Sequence, residues 1–451
     1  MSDVPVAFTT PAGRAAAFPD RRPPTAPAAF HVLAKPTGPI CNLDCQYCFF
    51  LSKEALYPGD RFRMADDLLE TYLRQLFEAH RASPDVTVAW QGGEPTLMGV
   101  DFFRRAVELA DGMAGPGQSV HHTIQTNGTL LTDEWCRLLA DHDFLVGISI
   151  DGPPALHDRY RVDKRGGPTF DRVRRGLERL QAHTVAWNVL CTVHAANQDE
   201  PLAVYRYFRD ELDARYVQFI PIVERDNDTG FQEGDRVTDR SVTPDGWGRF
   251  LTGVFDEWVR RDVGTVYVSQ FDAALASWVG VPPALCIFNE TCGDAVALEH
   301  NGDVYSCDHF VEPGYLLGNI RDTHLVELLA DPRQRAFGAA KRDGLPGQCR
   351  RCPVRFACHG ECPKNRFTVT ADGEPGLNYL CAGYLAFFTH IGGVMGLMAD
   401  RLRRGGYADE VMGVLAAAGR NDPCPCGSGR KAKQCHQADV PAAASGVATG
   451  R

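Results

Sequence analysis

The chain has 451 residues, 44% of them hydrophobic and 23% charged, with 47 lysines and arginines against 57 acids and a net charge of -10. That length predicts two or three domains, and the acidic balance argues against nucleic acid or a membrane surface as partner. No apolar run reads as the roughly 18 residues of a membrane helix. Sixteen cysteines without a secretory segment predict a cytoplasmic protein whose thiols ligate metal rather than form disulfides.

Residues 1–29 are rich in Ala and Pro and read as a disordered leader. From 30 to 225, short β-rich runs alternate with amphipathic helical ones. Strands are expected over Val86–Trp90, His122–Gln125, Leu145–Ile150, Val185–Val193 and Tyr216–Ile222. Helices are expected over Asp101–Asp111, Thr132–Asp141 and Thr169–Leu180, with Thr132 as a hydroxyl cap. The alternation implies a parallel sheet with crossover helices, as a barrel or an open sheet, with its chemistry at the carboxyl ends of the strands. Residues 226–269 form a connection, polar up to Pro244, and a helix over Asp245–Arg261. A cysteine-dense domain over 270–400 ends in a helix at Tyr384–Arg403. Residues 420–437 form a separate metal-sized module, and 438–451 a disordered tail.

Cys136 and Cys191 lie in apolar periodic stretches and read as small buried hydrophobes. The other cysteines fall in three groups. The first, Cys41, Cys45 and Cys48, sits in GPICNLDCQYCFFL. Three thiolates at this spacing can bind a 4Fe–4S cubane and leave its fourth iron open. A zinc site short of one ligand, or a fourth cysteine brought from afar, fits the spacing too. Gly92-Gly93-Glu94-Pro95 follows directly on the strand VTVAW, where two glycines let backbone carbonyls approach an ammonium group.

This C-x3-C-aromatic-C loop, with Tyr47 as its aromatic, followed by a strand and GGEP, resembles the radical SAM superfamily. The resemblance implies a partial (β/α)6 barrel over 30–225, with Cys41, Cys45 and Cys48 as cluster ligands. The open iron would chelate the amino and carboxylate groups of S-adenosylmethionine. Gly92, Gly93 and Glu94 would contact the amino group, Ser149 and Asp151 would line the cofactor, and Leu190 would pack on adenine. A flavodoxin or ferredoxin-type donor would supply the electrons that cleave it.

The second group is Cys286, Cys292, Cys307, Cys349, Cys352, Cys358, Cys362 and Cys381, enough for two fully ligated 4Fe–4S clusters. One zinc on Cys349, Cys352, Cys358 and Cys362 would leave four thiols without a role. The arrangement resembles the SPASM auxiliary-cluster domain, and closely that of the anaerobic sulfatase-maturating enzymes. That resemblance implies interleaved clusters: Cys286, Cys292, Cys307 and Cys362 hold one, and Cys349, Cys352, Cys358 and Cys381 the other. It also implies that Asp308, directly after Cys307 in YSCDHF, is the general base. Gln91, in WQGGEPTL, would face the substrate peptide.

The third group, Cys424, Cys426 and Cys435 with His436, offers a tetrahedral zinc set and resembles the SEC-C motif, an accessory associated with protein contacts. The leading reading is a maturase oxidising a Cys or Ser of a sulfatase polypeptide to Cα-formylglycine, with S-adenosylmethionine, three 4Fe–4S clusters and one zinc. A relative that crosslinks a ribosomally made peptide through a thioether or carbon–carbon bond is the alternative. A third reading, a zinc-ribbon adaptor that only binds proteins, predicts a colourless chain.

Overall fold

The computed structural model describes residues 17–19 and 21–437, so most of the expected leader's first part (1–16 and 20) and the tail 438–451 lie outside the described residues. Six parallel strands form the barrel wall in chain order: β1 His31–Lys35, β2 Asp85–Trp90, β3 Ser119–Thr126, β4 Leu145–Ser149, β5 Ala186–Val193 and β6 Tyr216–Pro221. Alternate residues of each strand (Val88, Trp90, Ile124, Ile148, Val189 and Cys191 among them) are buried in one apolar layer under the crossover helices. The other face carries half-buried Gln125, Leu190 and Gln218, which gives the wall an open concave side. Cys136 and Cys191 are fully buried in the apolar layer, as their sequence context predicts.

The helices have recognisable local causes. Thr132 caps Asp133–Asp141 by accepting from the Trp135 amide, and an apolar stripe of Phe170, Val173, Leu177 and Leu180 seats Phe170–Ala182 on the sheet. Trp90 is enclosed edge-on by Tyr72, Phe102 and Phe103 from the helices Asp66–Ala79 and Val100–Met113.

The sheet does not stop at six strands. β7 (Tyr267–Val268) pairs with β6, and β8 (Ala295–Glu299) pairs in parallel with β1, placing Glu299 beside Lys35. β9 (Asp303–Tyr305) and β10 (Leu316–Asn319) continue it antiparallel. The cysteine-dense segment is therefore grown onto the edge of the barrel wall, which brings the loop after β9 to the carboxyl end of β1.

Two expectations need correction. Part of the leader is ordered against the cysteine-dense segment: Thr25 Oγ1 donates to the Ala330 carbonyl at 3.1 Å, and the Phe18 ring meets His324. One helix, Cys381–Arg403, is long and apolar enough to cross a membrane by length and composition. Its Tyr384, Phe387, Phe388, Ile391 and Met395 are buried instead within the protein, against neighbours that include Pro244–Arg261 and Ser269–Val279.

His122 on β3 stacks on Phe144 at 4.8 Å and neither ring nitrogen has a hydrogen-bond partner. Burial pushes its pKa from 6.5 down to about 4. The folded form therefore stays neutral where the unfolded chain takes up a proton, so stability is complete above about pH 6.5 and falls as pH drops towards 4. His122→Phe is expected to remove about 1 kcal/mol of the stability lost between pH 7.5 and 5.5, read from urea denaturation midpoints at the two pH values.

Candidate active site

All the strand-end elements singled out in the sequence meet at the carboxyl edge of the sheet. After β1 the chain runs into the cysteine loop, and after β2 into Gln91–Glu94; main-chain hydrogen bonds join the two. The amides of Gln91, Gly93 and Glu94 donate to the carbonyls of Ala34, Gly38 and Ile40 at 2.8, 2.8 and 2.9 Å. A Cβ on Gly93 would lie 2.1 Å from the Ile40 oxygen, and Gly92 has φ +118° with its Cβ direction facing Gly38 and Lys35. The glycine pair, expected to open the backbone to an ammonium group, is thus required first by this contact between loops.

Glu94 is fully buried, and its carboxylate accepts from the Thr96 amide and hydroxyl, the Thr126 hydroxyl and the Asn127 amide at 2.6–3.0 Å. Its side chain is fully engaged in tying β2 to β3. What remains for a ligand here is the main chain of residues 92–94.

The Cys41 thiol accepts from the Leu43 amide at 3.3 Å and from Asn127 Nδ2 at 3.6 Å. Burial, with the Glu94 carboxylate behind it, pushes Cys41 up to about 12, and burial lifts Cys45 to about 11. Such thiols hold their protons at neutral pH, and binding a metal ion there releases them.

Tyr47 turns into the protein. Its hydroxyl donates to the Asp151 carboxylate and accepts from Arg161 at 2.9 Å. Asp151 also accepts from the Thr192 amide at 3.0 Å and is wholly buried. Through Tyr47, Asp151 anchors the cysteine loop to the ends of β4 and β5. Ser149 and Leu190 are register partners, and Ser149 Oγ accepts from Gln125 at 2.9 Å.

The later cysteines fall in two places. A cavity of about 240 Å3 is lined by Cys349, Cys352, Cys358 and Cys381 together. Cys286, Cys292, Cys307 and Cys362 are not among its lining residues; beyond what burial does, the nearby Cys286 raises the pKa of Cys292, Cys307 and Cys362, and Cys362 raises that of Cys307. The Lys341 ammonium donates to the carbonyls of Cys286 and Ile287 at 2.7 and 2.9 Å, placing a cation beside this second set. Both donor sets fit iron–sulfur ligation in being four thiols and nothing else.

Asp308 opens a short turn, Asp308–Phe310, directly after β9 and Cys307. Its carboxylate forms an ion pair with the ammonium of Lys35, the last residue of β1. Burial alone would raise Asp308, but Lys35 together with the neighbouring His309 outweighs it and holds the carboxyl below its usual range. Lys35 is 2% exposed and its nitrogen lies 3.8 Å from the centroid of the Phe50 ring, two residues beyond Cys48. The half-buried Gln91 hydrogen-bonds through its main chain to Ala34, next to Lys35. Base candidate, cysteine loop and GGEP loop thus meet at one point. Lys35 is the residue that sequence reasoning misses; a lysine ending a strand of five residues carries no pattern of its own.

At the C-terminal end, the Sγ atoms of Cys424, Cys426 and Cys435 and a ring nitrogen of His436 all lie within 4.8 Å of one another, a fit for one tetrahedral zinc. The module is no loose appendage. The Cys426 carbonyl lies 1.6 Å from where a Cβ on Gly393 would stand, and Arg260 donates to the carbonyls of Cys435 and His436 at 3.3 Å. It is docked on the helices Pro244–Arg261 and Cys381–Arg403.

Comparison with known proteins agrees with this geometry. The Radical SAM superfamily model matches residues 36–208, the SPASM iron-sulfur cluster-binding domain 286–353 and the SEC-C motif 420–438. The fold and site thus define a radical SAM enzyme with a SPASM domain, a class that works with S-adenosylmethionine and several 4Fe–4S clusters. The serine-type anaerobic sulfatase-maturating enzyme of Bacteroides thetaiotaomicron is 46% identical over 82% of this chain and 92% of its own length. The cysteine-type enzyme of Clostridium perfringens (strain 13 / Type A) is 32% identical, covering 80% of this chain and 95% of its own. The solved structure of native anSMEcpe with bound AdoMet and Cp18Cys peptide superposes with a TM-score of 0.74 at 30% identity, over 82% of this chain and 99% of that one. The chain belongs to the anaerobic sulfatase-maturating enzymes.

Two outcomes follow from the packing. Gly93→Ala is expected to bring reconstituted iron down from about 12 to about 8 per chain, measured by iron analysis, because a methyl group forces the GGEP and cysteine loops apart. Cys435→Ser is expected to lose about one zinc and to lower the melting temperature by about 5 °C, with iron content retained; an unchanged melting curve would contradict the docked arrangement.

Proposed function

We propose that this chain oxidises a Cys or Ser side chain of a sulfatase polypeptide to Cα-formylglycine. The observation that carries the reading is the convergence of Asp308, from the cysteine-dense segment, with Lys35 and Phe50 of the barrel. It puts a carboxylate base beside the loop that would start the reaction. The relatives' names and the peptide in the related structure support the same substrate class.

In this reading Cys41, Cys45 and Cys48 hold the cluster that binds S-adenosylmethionine. The main chain of Gly92, Gly93 and Glu94 takes the amino group, while Ser149 and Leu190 face the cofactor from β4 and β5. Cys286, Cys292, Cys307 and Cys362 hold one auxiliary cluster, and Cys349, Cys352, Cys358 and Cys381 the other. Cys424, Cys426, Cys435 and His436 hold zinc. When bound, the cofactor and its cluster supply the radical that removes a hydrogen atom from the substrate Cβ. The protein's own part is to orient the peptide, with Gln91 facing it, and to take the thiol or hydroxyl proton on Asp308.

The working division is a barrel over 30–225, a connection over 226–269, a SPASM domain over 270–400 and a zinc module over 420–437. The electron donor is a flavodoxin or ferredoxin-type protein, and the place of action the cytoplasm, where such carriers and reduced thiols coexist.

Anaerobic incubation of the reconstituted enzyme with S-adenosylmethionine, dithionite and a C-x-P-x-R peptide tests this by mass spectrometry. Hydrogen-atom removal, deprotonation at Asp308 and loss of one electron predict a mass decrease of about 2 Da for the Ser analogue; for the Cys peptide, hydrolysis of the resulting thioaldehyde with release of H2S brings the decrease to about 18 Da. Asp308→Asn is expected to lower that yield by about 100-fold or more. A thioether or carbon–carbon crosslink in place of the aldehyde would replace this reading with peptide crosslinking.

A further inference from the structure

We propose that Lys35 is a positioning residue for the oxidation: its ammonium fixes the Asp308 carboxylate against the cysteine loop, so that the base meets the substrate in one orientation. The inference rests on the sulfatase-maturase reading above. Three observations carry it. The first is isolation. Lys35 is 2% exposed, yet its ammonium has one anionic partner within ion-pair reach among the described residues, Asp308. In turn, no hydrogen-bond donor other than Lys35 reaches the Asp308 carboxylate among those residues. A charge carried so far from water needs its counter-ion, so each holds the other in place.

The second is the backbone behind the pair. Lys35 ends β1 and is the register partner of Glu299, which ends β8, the strand that feeds the β9 turn and Asp308. The two strand ends are set side by side by sheet hydrogen bonds, so the ammonium is aimed by rigid structure rather than by a loop. The third is the aromatic floor. The Phe50 ring lies 3.8 Å below the ammonium, and Phe50 is itself packed with Ala297, Tyr305 and Val311. A cation over a ring face is attracted by the ring quadrupole. Barrel strand, cysteine loop and base loop are thereby joined through a single nitrogen.

The chemistry gives this joint a purpose. After a hydrogen atom leaves the substrate Cβ, the Sγ–H or Oγ–H proton passes to Asp308 and the Cβ–S or Cβ–O bond becomes double. The remaining electron passes to an oxidised iron–sulfur cluster, which is reduced by one. Hydrogen-atom removal needs only the radical and the peptide; the later proton transfer needs the carboxylate within about 3 Å of the heteroatom. A residue that places the carboxylate therefore affects the second step selectively.

The test measures both steps in one reaction. A substrate peptide deuterated at the target Cβ is incubated with wild type, Lys35→Met and Lys35→Arg holoenzyme. Deuterated 5′-deoxyadenosine reports hydrogen-atom removal and aldehyde peptide reports completion. The ratio of the first to the second is expected to rise about 10-fold or more in Lys35→Met, with Lys35→Arg intermediate. A ratio equal to wild type, whether both yields fall together or neither changes, overturns the proposal and leaves Lys35 a packing residue. Where Lys35→Met fails to load iron, Lys35→Arg with full iron carries the test, and a ratio within about 1.5-fold of wild type overturns the proposal. Wild type that forms no aldehyde would instead count against the function itself, so the two failures are told apart.

Discussion

The Ile40 carbonyl occupies the space that any side chain at position 93 would need, and much of the site follows from that exclusion. Because residue 93 is glycine, the loop after β2 can lie flat on the loop after β1 and share two main-chain hydrogen bonds with it, beside a third to Ala34 of β1. The cysteine loop then has a rigid neighbour instead of solvent. Glu94 extends the same arrangement to β3, and Tyr47 with Asp151 extends it to β4 and β5. Loops are usually the mobile part of an α/β sheet. Here each is tied to the next, so the loop that carries the three thiols is anchored at both its neighbours.

The second organising feature is that the cysteine-dense segment shares the barrel's sheet. A separate domain on a linker would reach the cysteine loop only by docking, with freedom of rotation at its boundary. β8 instead pairs with β1 along five residues, which converts that docking problem into sheet register. A slip of one residue would turn Glu299 and its neighbours to the other face and carry Asp308 away from Lys35. Placement of Asp308 is thus fixed by the same hydrogen bonds that build the wall.

How much of this could be read from the sequence differs by kind of signal. Strands β2 to β6 and their helices were legible because their apolar residues follow one period over many positions. β1, with only HVLAK before a proline, is too short for periodicity to declare itself. The pairing of β8 with β1 spans some 260 residues of chain, and no local pattern encodes so distant a partner. Cysteine spacing pointed to three metal-binding groups because ligation demands clustering. Asp151 and Glu94 were legible as positions but not as tasks: a strand-end acid looks the same whether it meets a ligand or a buried amide. The docking of the zinc module did leave one trace, the Gly392-Gly393 pair inside an otherwise apolar helix, since glycine in a helix interior is unfavourable unless something must come close.

The helix Cys381–Arg403 has a consequence of its own. It combines the length and apolarity of a bilayer segment with a place in the interior of a folded protein. Its compatibility with water therefore depends on tertiary contacts, among them the zinc module at Gly393. Loosening at that end uncovers a continuous greasy rod rather than scattered apolar side chains, the kind of exposed surface that invites association. Where that association is irreversible, the lifetime of the folded chain at elevated temperature follows the rate at which this helix first becomes uncovered, a kinetic quantity, and not the equilibrium between folded and unfolded chains.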